Sequence, residues 1–133
     1  MLIVVDTNVL VSALINPVGV PARVVEEIRA QTLCPVVARE LIEEYRDVLV
    51  RARFGFPPAQ VDSLLDDLAA LALHLNATRL DPTGLPDPGD ATFIAVALAA
   101  ACPVVTGNSR HFPPEYGAEI LTPAQCLARL FMA

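Results

Sequence analysis

Leu2-Ile3-Val4-Val5 runs straight into Asp6, followed by Thr7 and Asn8. A carboxylate at the end of a buried strand is held rigidly and half-desolvated, which suits a ligand for a hard cation such as Mg²⁺ or Mn²⁺. The same residue can serve as a helix N-cap, a task that Thr7 or Asn8 can perform instead. On this segment alone both roles stay open.

Further acids follow along the chain. Glu40, Glu43, Glu44 and Asp47 share one amphipathic helical pattern. Tyr45 lies near the centre of its apolar face, and Glu43 and Asp47 lie nearly opposite as solvated charges. Glu44 sits on the shoulder of that face, with Glu40 one turn earlier on the same side. A shoulder carboxylate can reach a pocket at the edge of the core, although an ordinary surface glutamate explains both positions on geometry alone. Asp87-Pro88-Gly89-Asp90 precedes an apolar helix, where Asp90 is either an N-cap or a ligand favoured by the helix dipole. Thr106-Gly107-Asn108-Ser109-Arg110-His111 fits a tight turn or the rim of a site. His111 by itself reads as a surface histidine, and His74 has no identifiable role.

No glycine-rich phosphate loop follows a strand, and the chain has neither G-x-S-x-G nor a Cys/His metal spacing. The remaining acids suit metal-assisted phosphodiester cleavage, in which one or two ions activate a water without a protein nucleophile.

These residues need a scaffold. Residues 2–5 and 33–37 are short apolar runs of the kind found in buried parallel strands. Further strands are expected at 74–77, 103–106 and 119–121. Helices are expected over 9–15, 22–30, 39–51, 61–73, 91–101 and from Thr122-Pro123 to 131, with a loop at 78–89. Such alternation predicts one α/β domain spanning 1–133, with a central parallel sheet of four to five strands flanked by helices. Sites in such sheets form beyond the carboxyl ends of the strands, near a switch in strand order. Asp6, Ala38 and residues 106–108 fall there.

Composition narrows the class. The chain has 133 residues, of which 54% are hydrophobic and 18% charged, enough to bury a core. Its net charge of −6 argues against a binder that uses a broad basic surface. It does not exclude a nuclease, because acids of a metal site contribute to it. No apolar run reaches the roughly 20 residues of a membrane span, and the first residues resemble no secretory signal. Cys34, Cys102 and Cys126 are set among apolar neighbours, as expected of thiols in a reducing cytoplasm.

Four blocks in register, VVDTNVLVSALI, LIEEYRDVL, DPGDATFIAVALAA and VVTGNSRHFP, resemble the PIN domain in its VapC-toxin-like branch. The resemblance covers essentially the whole chain. It implies a Mg²⁺- or Mn²⁺-dependent endoribonuclease, the toxin half of a toxin–antitoxin pair. Asp6, Glu44 and Asp90 would be its catalytic acids and metal ligands, and Asn108 would join the catalytic set. Thr7, Asn8 and Thr106 would support them. RNA substrate, an antitoxin protein lying across the acidic mouth, and a homodimer or higher homo-oligomer are further implications. A mean hydropathy of +0.52 leaves room for an interface.

One departure stands out. Many relatives carry one or two aspartates after the T-G, where this chain has Asn108 and His111. A neutral amide binds a cation more weakly than a carboxylate, so the expectation is one tight ion, or a second held mainly by RNA phosphate. Glu40 and Asp87 are nearby in sequence but match no motif position. The departure also permits a catalytically weak PIN-like binding module. A phosphohydrolase with an aspartate at strand one fits less well, because Thr7-Asn8-Val9 supplies no second acid.

Overall fold

The computed structural model describes residues 1–76 and 90–132. Five short strands, β1 (Leu2–Val5), β2 (Cys34–Val37), β3 (Leu73–His74), β4 (Val104–Val105) and β5 (Ile120–Leu121), form one sheet in the order β3-β2-β1-β4-β5. Every neighbouring pair is parallel. Six helices accompany it: α1 (Thr7–Ile15), α2 (Val20–Arg29), α3 (Arg39–Leu49), α4 (Pro58–Leu71), α5 (Asp90–Ala100) and α6 (Pro123–Met132). The expected α/β class and parallel sheet are therefore present.

The central strands are buried because their side chains meet helices on both faces. Ile3, Val4, Val5, Val36, Val37, Val104 and Val105 are all within 1% of complete burial. α5, rich in alanine and apolar almost all round, packs against β1, β2 and β4. Its residues from Phe93 to Ala97 are buried, whereas Leu98 in its last turn is exposed. At the amino end of the fold, α1 and α2 meet at a bend of 104°. Asn16-Pro17 breaks the helical run there, since proline cannot continue the helix that precedes it. Among the described residues no single helix is long and apolar enough to cross a membrane.

Boundaries differ from expectation where local chemistry is ambiguous. α1 starts at Thr7 rather than at residue 9, so the helix begins immediately after Asp6. β3 covers only Leu73–His74, because its pairing with Val36 and Val37 sets its length and its exposed side chains carry no alternating pattern. The loop 107–117 contains two 3₁₀ turns, Ser109–His111 and Pro114–Tyr116. Thr122 caps α6 as expected. Its Oγ1 accepts from the Gln125 amide at 3.1 Å, while Gln125 Oε1 accepts from the Thr122 amide at 2.9 Å, a reciprocal capping box. The expected loop at 78–89, including Asp87, and residue 77 lie outside the described residues.

The strand order sets the place of the site. From β1 the chain builds outward through β2 to β3, then returns to the other side of β1 as β4. The reversal lies between β1 and β4, where successive connections diverge and leave a crevice at the carboxyl ends.

Candidate active site at the mouth of the sheet

Asp6 occupies the first position beyond β1, and Thr106 the first beyond β4. The two strands are in register, Val5 beside Val105, and the Asp6 amide donates to Val105 O at 2.9 Å. The next step brings the side chains together: Thr106 Oγ1 donates to Asp6 Oδ2 at 2.7 Å. Both residues are buried.

Asp6 stands at the N-cap position of α1, yet its side chain makes no capping hydrogen bond. The hydrogen bond that the carboxylate does make runs across the mouth, from Thr106. Burial pushes its pKa above the ordinary carboxylate value. The Thr106 hydroxyl, the Thr7 and Asn8 amides and the His111 ring offset that only in part.

Thr106 is the centre of a wider network. Its Oγ1 accepts from the Asn108 amide at 3.0 Å and from Asn8 Nδ2 at 3.4 Å. Asn8 Oδ1 in turn accepts from the Gly107 amide at 3.1 Å, closing the turn after β4 onto the start of α1. Asn108 Nδ2 lies 3.2 Å from His111 Nε2, and His111 Nδ1 lies 3.5 Å from Asp90 Oδ2. With Asn108 donating, Nε2 accepts and the ring proton of a neutral His111 sits on Nδ1, facing Asp90. Asp90, buried in the first turn of α5, thus joins the rim that holds Asp6. Thr7 is also buried, and its Oγ1 has no hydrogen bond among the described residues.

Glu44 is placed differently. It is half-buried on α3, beside Tyr45, whose ring is buried and whose hydroxyl donates to Val5 O at 2.5 Å. The shoulder position read from the sequence is therefore real, and α3 is tied to the strand end that carries Asp6. Among the described residues, however, no three Asp, Glu, His or Cys side chains are arranged to hold a metal ion. The network above reaches Asp6 and Asp90, and Glu44 does not complete a three-acid cluster with them. Like charges repel when brought together without a cation between them. Glu40 is exposed.

The donor chemistry fits a hard divalent cation at Asp6 and Asp90. A buried carboxylate whose charged form burial disfavours is one that a cation stabilises. Mg²⁺ commonly takes only one or two protein carboxylates, with waters and substrate oxygens filling the other positions.

Sequence reading missed two contributors. His111, placed by the resemblance where relatives carry an aspartate but given no role of its own, links Asn108 to Asp90. Tyr45 was read solely as a core residue, yet its hydroxyl holds the end of β1 and its ring packs 6.1 Å from Phe93 of α5.

These features define a class: a parallel α/β protein with buried carboxylates from separate chain segments at the strand-order switch. Residues 2–110 match the PIN domain, and the chain belongs to that family. PIN domains are in general nucleases and generally use divalent metals. No curated protein and no solved structure matches the chain.

Proposed function

We propose that the protein is a metal-dependent endoribonuclease, with Asp6 and Asp90 as its metal-holding acids. The observation that carries this reading is the continuous set of contacts from Asp6 through Thr106, Asn108 and His111 to Asp90. It joins two buried carboxylates, 84 residues apart in sequence, at one rim. A Mg²⁺ or Mn²⁺ ion held there would supply an activated water and charge stabilisation for phosphodiester hydrolysis. Thr106 and Asn8 keep Asp6 oriented, and His111 orients Asp90. Glu44 stands on the neighbouring helix, where it would meet the ion's water or the substrate.

The finer reading is a VapC-like toxin acting in the cytoplasm and silenced by an antitoxin protein. It rests on the four sequence blocks and on the exposed apolar residues Val18, Phe131 and Met132, which offer surface for an antitoxin or a second copy. A second reading, a PIN-like binding module with weak catalysis, is favoured by one feature: an amide and a histidine stand where further acids would complete the cluster.

Incubation with structured RNA and Mg²⁺ or Mn²⁺, beside a chelator control, separates the two. The nuclease reading expects cleavage that stops with chelator and falls on the order of a hundredfold or more in Asp6→Asn and Asp90→Asn. Cleavage that persists in both variants would reject this site. Absence of both cleavage and calorimetric metal binding would leave the binding module.

A further inference from the structure

The carboxyl edge of the sheet carries a second opening beside the Asp6 mouth. A cleft of about 410 Å³ lies where β2 and β3 end, lined by Arg39, Ile42, His74, Leu75 and Asn76 over a floor that includes Ala38. Its size is that of a small-ligand site. Register fixes the place of its floor relative to Asp6. Val37 pairs with His74, and the Leu75 amide donates to Val37 O at 2.8 Å, so Leu75 stands level with Ala38. Ile3 pairs with Pro35, which puts Ala38 level with Asp6. Neighbouring strands lie about 4.8 Å apart, so the cleft floor begins one strand from Asp6 and reaches Leu75 at roughly 10 Å.

The lining is two-sided in chemistry. Ile42 and Leu75 give an apolar wall, while Arg39, His74 and Asn76 are polar. His74 Nε2 lies 2.7 Å from Ala69 O, which places the proton of a neutral ring on Nε2 and leaves Nδ1 to accept a hydrogen bond. Asn76 offers both a donor and an acceptor. Arg39 is paired with Glu43 at 3.5 Å, with both side chains mostly exposed at 83% and 64%. Such a pair contributes little and yields readily to a stronger anion. Arg29, Arg46 and Arg129 are instead held by carboxylates at 2.9, 2.9 and 2.6 Å. On a chain of net charge −6, Arg39 is thus a cation at the cleft that an anionic ligand can recruit.

We propose that this cleft takes one nucleotide of single-stranded RNA adjacent to the phosphate cut at Asp6. The base lies against Ile42 and Leu75, its edge is read by Asn76 and His74 Nδ1, and Arg39 holds the connecting phosphate. A single strand is required, because only an unstacked base can enter such a cleft. The inference rests on the nuclease reading and adds to it a place where sequence preference arises.

The test uses a fluorescent single-stranded RNA hexamer, with chelator present to prevent cleavage, and anisotropy as the readout. Arg39→Ala and Asn76→Ala should each weaken binding, by about tenfold and about fivefold. Arg23→Ala, a charge-matched change on α2, should leave binding as it is. With metal restored, Asn76→Ala should relax the base preference next to the cut. If wild-type protein cleaves RNA while Arg39→Ala and Asn76→Ala bind and choose bases as wild type does, the cleft is rejected and the nuclease stands. Equal weakening by Arg23→Ala would also reject it, as general electrostatics. If wild type neither binds nor cuts RNA, the nuclease reading fails and the cleft falls with it.

Discussion

Thr106 and Asp6 meet at 2.7 Å across a separation of 100 residues in sequence, and the direction of that hydrogen bond is fixed by its neighbours. A threonine hydroxyl has one proton and two lone pairs. Both lone pairs accept from N–H groups, those of Asn8 and Asn108, so the proton is committed to Asp6. The carboxylate oxygen must accept, and its orientation follows from the backbone of the turn after β4.

Thr106→Val keeps the shape and removes that proton together with both acceptor sites. Buried Asp6 and two N–H groups would lose their partner, at a cost of roughly 1–3 kcal/mol. Thr106→Ser should retain most of the stability. The midpoints of urea unfolding for the three proteins check this, and equal midpoints for the valine variant and wild type would show the network to be inert.

Asp6→Asn should leave the fold intact in metal-free protein. The folded-state pKa of Asp6 is raised, chiefly by burial. Its contribution to stability is therefore fully present below the unfolded value of about 3.9 and is lost as pH rises through the folded value. Asparagine has no such titration and can still accept from Thr106. The variant's melting temperature at neutral pH is expected to match or exceed that of wild type, and the gap should close in acid. A marked drop at neutral pH would make Asp6 a structural residue.

Tyr45→Phe removes only the hydroxyl that donates to Val5 O, retaining the ring against Phe93. The expected loss is about 1 kcal/mol, with a fall in RNA cleavage larger than such a loss of folded protein explains, because the freed strand end carries Asp6. Tyr45→Ala would open a cavity as well, costing about 3–5 kcal/mol. Chemical unfolding combined with initial rates distinguishes a loosened site from general damage.

Burial pushes the Cys102 thiol up to about 11, and raises that of fully buried Cys126 as well. Since the thiolate is the reactive form, labelling of native protein near pH 8 should proceed at Cys102 roughly a hundredfold slower than at a free thiol. Cys126 should react only on unfolding. Mass spectrometry of the timed reaction reads both sites.

Much of this protein was legible as local pattern. The apolar runs before Asp6 and Ala38 announced β1 and β2, and the alternation of α3 put Glu44 on its shoulder. Asp90 was marked by the apolar helix it opens. What stayed hidden depends on register between distant segments. β3 has two exposed residues and no pattern of its own, so the cleft beside it and the placing of His74 could not be read. His111 resembled any surface histidine until the 3₁₀ turn at Ser109–His111 aimed it at Asp90. The Tyr45 hydroxyl carried no signal, since its ring alone satisfies the amphipathic pattern.

The level at which Leu75, Ala38, Asp6, Thr106 and Thr122 stand side by side draws on all five strands. A ribosome synthesising this chain releases Asp6 early and Thr106 a hundred residues later. Until β4 slots beside β1, the first aspartate lacks its hydroxyl partner. The carboxylate thus gains its hydroxyl partner through a contact of long sequence separation, which places the ordering of this rim after the pairing of β1 with β4.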